Sequence, residues 1–223
     1  MREAESAVLE PHSASKPYHH GDLSRALIQA GRRILEAEGP AGLSLRAVAR
    51  EAGVSPAAPY HHFKDKGELL DAIASEGWRE MGAAIAQARA TGPSASSSTL
   101  NIGVAYVCFA RDNPALYRLM YKMARDKQTM EGHAKDAESG WSHVREALKE
   151  AGADVSDERE LTLATIGAWC AAHGVAEMAG FKEFERLKAE LGGEEAFVRA
   201  VLSHIVVFPR QTMRYPCPDE AVR

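Results

Sequence analysis

The stretch Leu43 to Leu70, LSLRAVAREAGVSPAAPYHHFKDKGELL, leaves this chain few folds to choose from. Leu45, Val48, Ala49 and Ala52 recur at three- and four-residue spacing, which draws one apolar stripe along a short helix. Ser44 stands where an N-cap belongs, and Gly53 where the chain must leave that helix with positive φ. Val54 turns back toward the core. Ser55 and Pro56 read as the cap and first-turn residue of a second helix. Helix, glycine-containing turn, helix is the helix-turn-helix, whose second helix enters the DNA major groove.

The segment also resembles the amino-terminal domain of the tetracycline-repressor (TetR) family of regulators. The resemblance rests on Leu45-x-x-Val48-Ala49-x-x-Ala52-Gly53-Val54-Ser55, then Tyr60-x-His62-Phe63-x-x-Lys66-x-x-Leu69-Leu70. It implies a DNA-reading head whose Tyr60 and His62 touch phosphate. Residue chemistry adds the rest. Ala57 and Ala58 have no hydrogen-bonding side chains, so they read only thymine methyl groups or permit close approach. Tyr60, His61 and His62 supply polar contacts, and Phe63 locks the helix to the head. Lys66 lies in the first turn of the next helix, placed for a phosphate beside free backbone N–H groups. The candidate DNA contacts are therefore Ser44, Ser55, Pro56, Ala57, Ala58, Tyr60, His61, His62 and Lys66. Pro59 departs from the common form. As fourth residue of the second helix it lacks the N–H that would bond Ser55, so a tight or distorted first turn is expected.

A formal net charge of −4 argues superficially against DNA, but its distribution does not. From His12 to Leu70 eight Lys/Arg stand against six acids, giving +2 and leaving −6 for the rest of the chain. A mildly basic module on an acidic body suits a DNA reader that is not sticky overall.

Periodicity is helical throughout, with no hairpin signal and no sustained alternation, so the fold class is all-α. The expected plan is a three-helix head joined by a linking helix to a helical-bundle body. Residues 1–15 read as a disordered arm, 16–72 as the head, 73–215 as the effector-binding and dimerisation domain, and 216–223 as a tail. Asp22 can cap the first helix, which stops at Gly39-Pro40. Lys16, Tyr18 and His19 either reach DNA or form a solvated arm. Asp65-x-x-Glu68 resembles a capping box and opens the linking helix to about Ala90. Thr91 to Ser98 reads as a loop. Body helices are expected over roughly 99–111, from Asn113-Pro114, over 127–151, 158–180 and 194–213, with Pro209 kinking or ending the last.

Trp169-x-x-x-His173-Gly174 and Asn113-Pro114-Ala115-Leu116-Tyr117 are similar to the WHG-type carboxy-terminal domain of one branch of the same family. That resemblance implies a homodimer on a pseudo-palindromic double-stranded DNA operator, released by a small molecule entering the body. The segment from Leu161 to Ala176 is nearly uncharged, so it is buried all round or buried at a subunit contact. Phe109, Tyr117, Met120, Trp141, Trp169 and His173 are the candidate pocket residues. They fit a mainly apolar effector, with His173 and the tyrosine hydroxyls as orienting groups. The same residues can simply fill the core. The alternative function is an effector-independent DNA-binding protein controlled by abundance or a protein partner.

Catalysis, metal and cofactor are not assigned. Cys170 and His173 are three apart, but no further ligand or orienting group completes a site. The three cysteines lack metal spacing and suit a reducing cytoplasm. No signal peptide or membrane span is legible, so a cytoplasmic location without membrane partners is expected.

Overall fold

Helix α1 spans His20–Gly42 and buries Leu27, Ala30, Ile34 and Leu35. It begins ahead of the expected cap at Asp22. A glycine this early costs little, because first-turn N–H groups need no intrahelical acceptor. The backbone leaves the helix at Gly39 (φ 70°), directly before Pro40. The computed structural model describes residues 20–92, 94–127, 131–151 and 157–205. The expected arm 1–15, Lys16, Tyr18, His19, the tail 216–223 and the run through Pro209 lie outside them.

Helix α2 is Leu45–Glu51, with Leu45, Val48 and Ala49 buried. Ser44 Oγ accepts the Ala47 N–H at 3.1 Å, closing the expected cap. Gly53 takes φ 69°, and the Val54 N–H then returns to the Ala49 carbonyl at 2.9 Å.

The second helix of the motif departs from expectation. In place of an α-helix capped by Ser55 there is a 3-10 helix, Ala58–His61. Pro59 is the reason. Without an N–H it cannot bond the Ser55 carbonyl, which accepts from Ala58 at 3.0 Å instead, and the turn tightens to i,i+3 spacing. Pro59 itself is buried.

Helix α3, Lys66–Ala90, runs from head into body; the expected boundary at 72/73 falls in its second turn. Asp65 Oδ1 accepts the Glu68 N–H at 3.0 Å, and Glu68 Oε2 accepts the Lys64 N–H at 2.6 Å. The box is therefore made, with its return bond one residue earlier than usual. The expected loop 91–98 is shorter. Ser94 accepts the Ser97 N–H at 3.2 Å and starts α4 at Ala95, running to Asp112. Serines that read as loop here serve as a helix start.

The body continues with α5 (Pro114–Asp126), α6 (Glu131–Glu150), α7 (Glu158–Met178), α8 (Glu185–Leu191) and α9 (Glu194–Ile205). Helix α8 is an addition to the expected set. Helix α3 packs on α4, α5 and α6, α7 closes over α4 and α6, and α9 lies on α4 and α8. There is no strand among the described residues.

Candidate functional site

On the head, Ser44, Ser55, Pro56, Ala57, Tyr60 and His61 are exposed, whereas Ala58, His62 and Lys66 are half-buried. Tyr60 is 55 % exposed, a large aromatic with no packing reason to stand in water. Phe63 is buried, as expected for the residue that fixes the turn to the head. Two assigned side chains already hold protein groups. Ser44 Oγ is engaged in its cap, and Lys66 Nζ donates to the Pro40 carbonyl at 2.6 Å. The Glu68 N–H is taken by Asp65. Arg46 and Arg50 are exposed one turn apart on α2. Sequence reasoning counted their charge but assigned them no contact; their i,i+4 spacing beside the Ser44 cap was the available signal.

In the body, the chain gathers a polar cluster inside apolar walls. Tyr117 Oη is 2.6 Å from His173 Nδ1, and Tyr106 Oη is 3.1 Å from both. Tyr121 Oη lies 2.5 Å from Tyr106 Oη and accepts the Trp169 indole N–H at 2.9 Å. Trp169 also meets Tyr106 edge-on at 5.3 Å and Trp141 at 6.2 Å between centroids. The geometry follows from spacing: Tyr117 and Tyr121 are one turn apart on α5, Trp169 and His173 one turn apart on α7. Desolvation by burial raises all three phenol pKa values, Tyr121 to about 12. Neighbouring phenols raise Tyr106 further, while hydrogen bonding with Tyr106 lowers Tyr117 and Tyr121. These groups are neutral phenols at physiological pH, suited to hydrogen bonding and not to nucleophilic attack.

Of the six candidate pocket residues, Tyr117, Trp141, Trp169 and His173 come together. Phe109 and Met120 do not join the ring contacts and hydrogen bonds of this cluster. Met120 is fully buried against Gly77, where an added Cβ would stand 2.7 Å from its sulfur. Phe109 is buried too. Tyr106, Tyr121 and Trp78 are not among the candidate pocket residues. Trp78 ties the cluster to α3, with its ring 5.2 Å from Tyr121 and 6.5 Å from Trp169. Its indole nitrogen is buried without a partner.

Two spaces adjoin the cluster. An apolar void of about 30 Å³ lies beside Tyr106, Trp169, Ile85 and Val144. A groove of about 470 Å³ opens onto Tyr117 between α4, α5, α7 and α8, and its lining includes the charged Arg111, Arg118, Glu177, Glu185, Lys188 and Glu194. A third, apolar groove of about 520 Å³ runs between α7, α8 and α9, lined by Cys170, Gly174, Met178, Leu187, Val201 and Ile205. Leu163, Ile166, Met178 and Leu187 are exposed on the same helices. Among the described residues no helix is long and apolar enough to cross a membrane, and no three His, Cys, Asp or Glu side chains are grouped to hold a metal.

Residues 27–73 match the family model for bacterial regulatory proteins, tetR family, and residues 99–204 match the tetracyclin repressor-like C-terminal domain. The HTH-type transcriptional regulators Rv1816 of Mycobacterium tuberculosis and Mb1846 of Mycobacterium bovis are each 33% identical over 97 residues, 43% of this chain and 42% of theirs. The match thus spans less than half the length of those regulators. A protein of unknown function from Rhodococcus sp. RHA1 superposes with TM-score 0.69 at 30% identity, covering 86% of this chain and 97% of that one. The TetR family transcriptional regulator PfmR of Thermus thermophilus shares the fold, with TM-score 0.57 at 18% identity over 80% of this chain and 96% of its own.

Proposed function

The chain belongs to the tetR family of bacterial regulators, as a DNA-binding transcriptional regulator and not an enzyme, and from that premise we propose that it is a homodimeric, cytoplasmic repressor released from a pseudo-palindromic operator by a small molecule. The head would bind DNA through the exposed 3-10 turn, with Ala57 and Pro56 against base edges and Tyr60 on phosphate. Arg46 and Arg50 would add phosphate contacts. Helices α7 and α9 would pair with their copies across a two-fold axis. The exposed apolar face from Leu163 to Leu187 supports this, since a monomer gains nothing by leaving it in water.

The observation that carries effector control is the phenol–imidazole–indole cluster packed through Trp78 directly on α3. Convergent hydrogen-bonding groups in an apolar body are what a ligand site needs, and α3 is the covalent path to the head. The effector would be mainly apolar, reaching Tyr117 through the groove beside it and His173 through their hydrogen bond. One observation favours the alternative, control by abundance or a protein partner: the void beside the cluster holds only about 30 Å³, so a ligand must open it.

The test starts with duplexes selected in vitro for retention by the purified protein, and compounds screened for releasing them. Native mass spectrometry then reads the bound species. A dimer on a two-fold symmetric site, released by a compound whose action His173→Ala abolishes, is the expected result. Retention unaffected by every bound compound would leave the effector-independent reading standing.

A further inference from the structure

Helix α5 does not cap itself. Asn113 occupies its N-cap position with no side-chain bond to the helix start. Its amide oxygen accepts from Arg32 Nη2 at 2.6 Å, and its amide nitrogen donates back to the Phe109 carbonyl at 3.0 Å. Pro114 follows and has no N–H. The first-turn donors still to be satisfied are those of Ala115 and Leu116. Both are taken by one carboxylate of the head: Glu36 Oε2 accepts from Ala115 at 3.3 Å, and Glu36 Oε1 from Leu116 at 3.1 Å. An anion there is favoured by the helix dipole as well as by the two bonds. Arg32, one turn earlier on α1, also donates to Glu80 Oε1 on α3 at 2.5 Å. A single face of α1 therefore holds the first turn of α5 and the middle of α3 together.

The position of this junction along α5 matters. The residue after the capped pair is Tyr117, and Tyr121 lies one turn further; both belong to the body cluster. The head is thus attached to the cluster twice, covalently through α3 and by hydrogen bonds through α5. With two attachments it cannot swing about α3 without either releasing Glu36 or moving α5.

We propose that Glu36 is a positioning residue that converts a shift of α5 in the body into a change of head orientation, with Arg32 locking the same junction to α3. The proposal rests on the reading of the chain as a regulator whose body controls DNA binding. On this assignment breaking the junction removes most of the coupling between the body cluster and the head.

A double-mutant cycle on DNA affinity tests this, using a duplex selected with the unaltered protein. Tyr121→Phe keeps the ring and removes the hydroxyl that joins Trp169 to Tyr106. In the otherwise unaltered protein it should change affinity about fivefold or more, the lower end of usual site-to-site coupling. In the Glu36→Ala background the same change should shrink below about twofold, the scatter of independent sites. Glu36→Gln retains one acceptor oxygen and should restore most of the coupling, whereas Glu36→Leu keeps the bulk, removes both acceptors and carries the test if Glu36→Ala fails to fold. The same factor in every background, or no effect of Tyr121→Phe at all, overturns the proposal and leaves the junction a purely structural cap. Failure of the unaltered protein to select any duplex defeats the DNA-binding reading itself, and is distinguishable because it precedes every variant.

Discussion

Tyr117 Oη and His173 Nδ1 lie 2.6 Å apart, and Tyr106 Oη is within 3.1 Å of each. Three hydroxyls and an indole N–H converge where only one imidazole nitrogen and the phenol oxygens accept. With Nδ1 accepting, a chain of donors runs Trp169, Tyr121, Tyr106, Tyr117, His173 and every phenol oxygen is used. Such a network specifies one arrangement of α4, α5 and α7, and any group that inserts into it must replace the bonds it breaks.

Met120 separates core from cluster. It is fully buried, seated on Gly77, and makes none of these bonds. Met120→Ala should therefore lower stability by about 2–5 kcal/mol and leave effector response intact in the folded fraction. Tyr117→Phe should cost about 1 kcal/mol, because Tyr106 still reaches His173, and should alter effector response. Denaturant melts paired with release assays check both. A Met120→Ala protein that melts normally would put a cavity where the packing has none.

Alkaline pH gives a second expectation. Burial raises the pKa of Tyr106, Tyr117 and Tyr121 above the ordinary value of 10, Tyr121 to about 12. A pKa raised by folding means the unfolded chain loses these protons first. Their contribution to stability is present in full below about pH 10, the unfolded phenol value, and falls as pH rises toward and beyond 12. Phenolate absorbance from these three of the six tyrosines should appear late and together with unfolding. Full titration of all tyrosines near pH 10 in a protein still folded by circular dichroism would contradict the burial of the cluster.

How much of this was legible in the sequence depended on whether a pattern was local. Ser44, Gly53 and Asp65 each act within four residues, so cap, turn and cap were readable before the fold. The distortion at Pro59 was readable too, because one missing N–H decides it, although its full extent, a 3-10 turn in place of an α-helix, was not. The pairs Tyr117/Tyr121 and Trp169/His173 announce faces, but not that the two faces meet around Tyr106. Trp78 and Glu36 were invisible as partners, since their contacts join segments tens of residues apart and carry no periodic signal. Ser94 caps a helix where a loop is expected, because a serine-rich run suits a loop and a helix start equally.

The apolar face yields a third expectation. Ile166 is 45 % exposed and Val201 lines the groove between α7 and α9. Ile166→Glu should leave the fold within about 0.5 kcal/mol, because the side chain already stands in water within one chain. It should nevertheless shift sedimentation toward monomer, and Val201→Glu should do the same. Both should bind DNA poorly, since half-sites about one helical turn, roughly 10 bp, apart need two linked heads. Dimers unaltered in both variants would move the interface off this face.

Lys66 is the sharpest case because its ammonium has an observed partner and a proposed one. It donates to the Pro40 carbonyl at 2.6 Å, bridging the first turn of α3 to the kink that ends α1. A carbonyl does not neutralise an ammonium, so the charge stays available to a phosphate approaching the same turn. The two roles separate in salt. If Lys66 neutralises a phosphate, Lys66→Ala lowers the slope of log affinity against log salt by about one unit. If it only ties α3 to α1, the variant loses about 1 kcal/mol of stability and the slope stays as it was. Lys66→Gln retains a donor for Pro40 without the charge, so it should keep the stability and still lose the slope. That combination is the expected one, and a Lys66→Gln protein with an unchanged slope would reduce Lys66 to a strut.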